Sequence, residues 1–250
     1  MNLEEMLDYT AKQYLDDRVD IVDGDSDSLW SDAFLVRQFN QAQRILARRA
    51  WCIIETGQSP AGIVTLSTGK VLYPLHKSIL FVYDATPSTQ TAPLGRGDDV
   101  ALRSPYPAGS DAYEVGAAAS AAGTTSEYPG PPLAIATDAA TRTLFVSPEP
   151  TADQNGLQIA MKIARLPIAW LDLAKPKACP EVPEDWHMDL CEYAAGMALT
   201  MPNVDSANKV DGRELLNKFA ETVREARRDR QRASYNGSRW GFASTTAVLR

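Results

Sequence analysis

The sequence predicts an α+β protein, in which a helical bundle formed by both chain ends carries an inserted small β-rich domain and an extended C-terminal arm. Apolar residues recur at helical spacing near both ends, and β-branched and aromatic residues dominate the middle of the chain. Residues 233–250 contain no acidic residue and several aromatic ones. The predicted divisions are 1–57 and 174–232 for the bundle, 58–173 for the inserted domain and 233–250 for the arm.

Two helices are predicted in the N-terminal part. The first covers residues 3–15, where apolar side chains recur every three or four positions, and an acidic loop at 16–28 follows it. The second extends from about Ser31 to Ile54 and ends before Gly57 and Pro60. Its apolar stripe consists of Leu35, Phe39, Ala42, Leu46, Ala50 and Ile53.

The middle of the chain has the composition of strands and loops. Residues 61–84 are rich in β-branched and aromatic residues, which predicts strands. Residues 86–132 are dominated by Pro, Gly, Ala, Ser and Thr, which predicts long surface loops. A hairpin is predicted over 133–150, and apolar residues alternate with other residues over 157–164 as in a half-buried strand.

The helical spacing returns after Leu173, with helices predicted over 183–200 and 211–229. The second helix carries an apolar stripe, but Arg227 and Arg230 fall on the same face and end it. The stripe consists of Leu215, Leu216, Phe219, Val223 and Ala226.

Composition and charge argue against several classes of function. The formal net charge of -7 argues against a general nucleic-acid binder, which needs a net basic surface to displace counterions from phosphates. The two ends carry net charge of opposite sign, because acidic residues outnumber basic ones over 4–32 and basic residues outnumber acidic ones over 213–250. Three cysteines without a CxxC pair favour reduced thiols, and neither a leader peptide nor a membrane-spanning run is recognisable. We expect a cytosol-like compartment and no membrane association.

Residues 180–195 concentrate titratable groups and are the first candidate for a catalytic or metal site. On a helical wheel His187 and Cys191 share one border of the apolar arc, whereas Asp185, Asp189 and Glu192 project to the other side. No zinc-ligand spacing results, and Walker, GxSxG and GxGxxG motifs are absent. We therefore predict no catalytic residue, metal or cofactor, with an enzyme centred on His187, Cys191 and Glu184 as an alternative.

The C-terminal segment is the second candidate. A solvating tail is usually poor in aromatic and large apolar residues, but this one contains several. We expect the aromatic residues to become ordered against a partner, with arginines around them. The predicted partner-binding residues are Arg227, Arg228, Arg230, Arg232, Tyr235, Arg239, Trp240 and Phe242. A regulatory nucleic-acid binder using this arginine-rich helix is a further alternative.

Several stretches of the chain carry a resemblance to a known family. They are PPLAIATD and TRTLFVSPEPT within 131–151, IARLPIAWLDL at 163–173, PEVPEDWHMDLCEYAAGMAL at 180–199 and LLNKFAETVREARRDRQR at 215–232. The N-terminal half matches in its pattern, with Asn-Gln-Ala-Gln at 40–43 in a helix before the β-rich insert. The chain resembles in these features the head-to-tail connector, or adaptor, proteins of tailed bacteriophages.

The resemblance implies a non-enzymatic virion structural protein without a cofactor. It implies a homo-oligomeric ring of twelve subunits at the head–tail junction, assembled in the host cytoplasm. The C-terminal arm, with the partner-binding residues above, would dock on the portal protein, and the other face would receive a downstream tail protein of the nozzle or stopper type. DNA would pass through the channel without specific binding.

Overall fold

The computed structural model describes residues 1–15, 30–89, 94–96, 134–138, 142–147, 149–201 and 206–237. The chain divides into two compact units, Met1–Cys52 with Ala169–Arg250, and Ile53–Ile168. Helices dominate the first unit and small sheets the second, which confirms the predicted α+β class. Along the chain, the boundaries between the units fall at 52/53 and 168/169, a few residues before the predicted divisions at 57/58 and 173/174.

The first half of the helical unit contains α1 (Leu3–Thr10), which continues as a π-helical turn over Ala11–Leu15, and α2 (Asp32–Ala50). Side-chain caps define both starts, from Asn2 for α1 and from Ser31 for α2. The prediction that the second helix extends to Ile54 is wrong. Trp51 adopts a left-handed conformation with φ 54° and ends α2, and the chain enters a strand three residues later.

The second half of the helical unit contains α3 (His187–Leu199), which follows a 3-10 turn at Glu184–Trp186, and α4 (Ser206–Gly237). The prediction of a helix over 211–229 is too short at both ends. The predicted bounds follow the apolar stripe. The Arg, Gln and Ala residues after the stripe are good helix formers, and the helix continues through them. An extended arm therefore does not begin at residue 233, and residues 238–250 lie outside the described part.

Helix α3 forms the centre of this unit. It contacts α1, α2 and α4, and most of its residues are buried, including Leu190 and Ala194. Helices α3 and α4 approach closely at two glycines, where a Cβ atom on Gly196 would lie 3.0 Å from the carbonyl oxygen of Gly212. A Cβ on Gly212 would lie 3.0 Å from the carbonyl oxygen of Gly196. The absence of side chains at both positions permits this crossing.

Eight strands lie within the described part of the second unit. They are β1 (Ile54–Thr56), β2 (Ile63–Thr65), β3 (Leu72–Pro74), β4 (Ile79–Pro87), β5 (Gly95–Arg96), β6 (Ala134–Asp138), β7 (Thr143–Ser147) and β8 (Gln158–Arg165). In one sheet β8 pairs antiparallel with β4 over most of its length and with β1 and β2 over its two halves. The second sheet has the order β3-β7-β6-β5, with only β5 and β6 parallel.

The strand predictions are largely confirmed. In β8 the side chains of Ile159, Met161 and Ile163 are fully buried, as the alternating pattern predicts, and β6 pairs with β7 as the predicted hairpin. The prediction of loops over 86–132 is wrong at β5 and at the end of β4. The remainder of that range, from 97 onward, lies outside the described residues, as does the predicted acidic loop at 16–28.

A buried ion pair contributes to this unit. Arg165 donates from Nε to Glu55 Oε2 at 2.7 Å, and both side chains are largely buried. No helix within the described ranges is long and apolar enough to cross a membrane.

Candidate functional site

The predicted partner-binding arginines follow the last buried apolar residues of α4. Val223 and Ala226 are buried, whereas Arg227, Arg228 and Arg232 are exposed. Arg232 lies 3.5 Å from Asp229, a surface pair of little energetic weight. The exposed arginines are therefore available to an acidic partner.

The other predicted partner-binding residues are less exposed or lie outside the described part. Arg230 is half-buried, and its Nε is shielded from solvent without a hydrogen-bond partner. Tyr235 belongs to the helical backbone of α4, and Arg239, Trp240 and Phe242 lie outside the described residues.

Arg227 lies beside the end of α2. It lines a pocket of about 360 Å³ together with Ile45, Arg48, Arg49 and Trp51, and we call this set the arginine pocket. Ile45, Arg48 and Arg49 are spaced by three and four residues and therefore share one face of α2. The sequence reasoning missed Arg48, Arg49 and Trp51, although an Arg-Arg pair one residue apart from an aromatic residue near a helix end is a readable basic signal.

The arginine pocket carries unbalanced positive charge. Arg48, Arg49 and Arg227 are all exposed, and none forms an ion pair with a carboxylate of the described residues. Trp51 is 39% exposed, so an indole ring is accessible beside the guanidinium groups. Such a combination can bind an acidic chain that also offers apolar side chains.

The structure does not place the enzyme candidates His187 and Cys191 as reactive groups. His187 Nε2 lies 3.0 Å from the carbonyl oxygen of Val182, and Nδ1 lies 3.0 Å from the amino nitrogen of Met1, so both ring nitrogens are engaged. Cys191 is fully buried, and burial raises the pKa of its thiol to about 12, which keeps the thiol protonated. The third candidate, Glu184, has an exposed side chain.

The described residues also provide no alternative metal site. No group of three or more His, Cys, Asp or Glu side chains among them is placed to hold a metal ion. His187 and Cys191, the residues at the centre of the enzyme alternative, are thus engaged or buried within the fold.

Glu192 does not converge on His187, as the helical wheel predicts, and it lies on a second buried face of α3. Glu192 is only 6% exposed, because the π-helical turn and α4 cover this face. Its Oε1 accepts hydrogen bonds from Tyr14, at 3.3 Å, and from Lys218, and its Oε2 is buried without a partner. The hydrogen bond to Glu192 raises the pKa of Lys218, and burial followed by the Glu192 charge raises that of Tyr14.

The neighbouring Asp189 accepts a hydrogen bond from the Thr222 hydroxyl at 2.9 Å. Burial is the main cause that raises the pKa of this carboxyl group, and the Glu192 charge raises it further. These polar contacts connect α3 to α4. A pocket of about 640 Å³ beside them is lined by Tyr14 and Lys218 but not by Asp189 or Glu192, so we interpret the two carboxylates as structural.

The loop after the second unit returns to the helical unit at Leu171, which is held by Asn40 of α2. Asn40 donates from Nδ2 to the Leu171 carbonyl at 2.9 Å and accepts from the Leu171 N–H at 2.9 Å. Leu171 is buried, whereas Trp170 is 54% exposed. The Asn-Gln-Ala-Gln motif noted in the sequence thus begins with a residue that fixes this loop.

Comparison with protein families gives a match that covers almost the whole chain. The sequence model of the SU10 adaptor protein family matches residues 1–241. The chain belongs to the SU10 adaptor protein family. This is a family of phage head-to-tail adaptors, so the resemblance noted from the sequence is confirmed. Comparison with curated proteins gives no match.

Family membership gives the adaptor its general role. It is a structural protein of the bacteriophage virion, and adaptors of this family are typically non-enzymatic. Membership also implies contact with portal and tail proteins. The arrangement around His187 and Cys191 agrees with a structural role, because its polar groups are engaged within the fold.

Proposed function

We propose that this adaptor forms a ring of twelve subunits beneath the portal and docks on the portal through its C-terminal segment. The observation that carries this proposal is the course of α4. Ala226 is the last buried apolar residue of α4 up to residue 232, where the described burial ends, and the helix continues to Gly237 with exposed arginines at 227, 228 and 232. A helix that extends beyond its own core with a basic surface is suited to contact another protein.

The sequence beyond Gly237 supports the same role. Trp240 and Phe242 are the aromatic residues of an acid-free segment, and aromatic and arginine residues are enriched among interface hot spots. A downstream tail protein of the nozzle or stopper type would bind the other face of the ring, and assembly would take place in the host cytoplasm. The net charge of -7 supports a channel through which DNA passes without specific binding.

Truncation tests the docking proposal. A chain ending at Gly237 keeps every residue of α4 and removes Arg239, Trp240 and Phe242. We expect this chain to remain folded and to lose most of its association with purified portal rings in a pull-down or sedimentation assay. Unchanged association would refute the C-terminal anchor.

Charge reversal on the helix provides a matched comparison. R228E/R232E reverses two exposed arginines after Ala226, and R213E/R224E reverses two exposed arginines earlier on the same helix. We expect the first pair to weaken portal association and the second to leave it unchanged. Equal effects of the two pairs would show that net charge matters and that the end of α4 is not the docking surface.

A further inference from the structure

The arginine pocket is positively charged, and within the described part of the chain no carboxylate forms an ion pair with its arginines. Arg48 and Arg49 lie in the last turn of α2, where cations are favoured by the negative end of the helix dipole. This effect does not account for Arg227, which comes from α4 and lines the same pocket. Three like charges around one pocket repel each other, and an anionic ligand relieves this repulsion.

The remaining lining residues indicate what kind of anion fits. Ile45 and Trp51 give the pocket an apolar side beside its guanidinium groups. An isolated phosphate or a metal-bound anion has no use for this apolar surface. An acidic polypeptide that carries aliphatic side chains between its carboxylates matches both parts of the pocket.

The chain itself contains such a segment at residues 16–29. Its charged residues are Asp16, Asp17, Asp20, Asp23, Asp25 and Asp27 against the single Arg18. Val19, Ile21 and Val22 are interspersed among them. The segment therefore complements the arginine pocket both in charge and in its aliphatic content.

The two ends of this segment are held away from the pocket of the same chain. Leu15 lines a different pocket, together with Leu215 and Lys218, and Lys218 is about 14 Å before Arg227 along α4 at 1.5 Å per residue. At the other end, Asp32 begins α2, and Arg48 lies about 24 Å further along that helix. Reaching the pocket within one chain requires the segment to run nearly extended in both directions. A second copy can present it without this constraint.

We propose that the arginine pocket binds the acidic segment 16–29 of a neighbouring copy of this chain. The contact is heterologous, because a pocket on one copy receives a different surface from the next, and such contacts repeated around an axis close a ring. The inference rests on the ring of the proposed function and adds the surfaces that join its subunits.

Sedimentation velocity of the full chain over a salt series gives the first test. We expect the unmodified chain to self-associate and the association to weaken as salt rises. R48E/R49E should weaken it at least about tenfold, whereas R37E/R44E, which reverses two exposed arginines of α2 outside the pocket, should have little effect. An unmodified chain that stays monomeric at low salt, or equal effects of the two pairs, would overturn the proposal.

A charge exchange between two variants tests the partner directly. R48E/R49E and D20K/D23K/D25K/D27K should each fail to self-associate, because in each the pocket and the segment then carry net charge of the same sign. A mixture of the two should associate, because each pocket meets a segment of opposite charge on the other variant. A mixture that stays monomeric refutes binding between copies.

Two further measurements separate this inference from the proposed function and from DNA binding. R48E/R49E should keep its association with portal rings, because its C-terminal segment is intact. Loss of portal association together with self-association would assign the pocket to the portal instead. Binding of a short DNA duplex by the unmodified chain that R48E/R49E abolishes, without an effect on self-association, would also overturn the proposal.

Discussion

The crossing of α3 and α4 provides a sharp test of the fold through Gly212→Ala. A Cβ atom at Gly212 would lie 2.9 Å from Leu199 Cβ and 3.0 Å from the carbonyl oxygen of Gly196. Neither neighbour can move by a side-chain rotation, because one is a Cβ and the other a backbone atom. The two helices must therefore separate by some tenths of an ångström to accept the methyl group.

Two opposing terms set the magnitude. Overpacking of a tight contact costs about 1–3 kcal/mol, and the two rigid neighbours place this site in the upper part of that range. Replacing a helical glycine by alanine gains up to about 1 kcal/mol of helix propensity. We expect Gly212→Ala to lower the free energy of unfolding by about 1–2 kcal/mol.

The assay is denaturant unfolding followed by far-UV circular dichroism, which reports mainly on the helical unit. Asn217→Ala, on the exposed face of α4, serves as the control and should change the free energy of unfolding by no more than about 0.5 kcal/mol. The sign of the change in the free energy of unfolding decides the test. If Gly212→Ala stabilises the protein, propensity alone acts and the close helix crossing is refuted.

Three further predictions concern buried polar groups and thiols. Asn40→Ala should lower the free energy of unfolding by about 2–4 kcal/mol, because the buried N–H and carbonyl of Leu171 lose their partner. An unchanged free energy of unfolding, measured by denaturant titration at neutral pH, would contradict the contact between Asn40 and this loop. Asp189→Asn should stabilise the protein at neutral pH, because burial raises the pKa of Asp189 and its ionised form costs stability; this gain should shrink as the pH falls through the raised pKa and disappear below about pH 4, where the carboxyl is protonated in the unfolded state too, and a constant gain would argue against a raised pKa. Thiol titration of the native protein should modify the exposed Cys179 quickly and Cys191 only on unfolding, whereas rapid modification of Cys191 would contradict its burial.

The sequence predicts those helices and strands that bury one face, because burial of one face imposes a regular spacing of apolar residues. The alternation over 157–164 identifies β8, because one face of that strand packs on the core. The positions of α1 and α3 follow from apolar spacing in the same way, although α3 begins at His187 instead of residue 183. Helix ends are predicted less well, since the left-handed Trp51 at the end of α2 has no signature in a residue type that rarely adopts this conformation.

The buried surroundings of α3 could not be read from its own sequence. The helical wheel separates Glu192 from His187 and Cys191 but does not tell whether another element covers its side of the helix. Its burial depends on Tyr14 and Lys218, which come from two other elements that fold over it. The arginine pocket was missed for the same reason, because Arg48 and Arg227 are distant in sequence and meet only through the packing of α2 against α4.

Electron microscopy of the purified adaptor mixed with purified portal tests the central proposal most directly. The account predicts a ring of adaptor subunits seated on one face of the portal, with density for the C-terminal segment on the portal surface. The chain ending at Gly237 should leave portal rings bare under the same conditions. Adaptor rings bound equally well without this segment, or portal rings that stay bare in the presence of the full chain, would contradict the account.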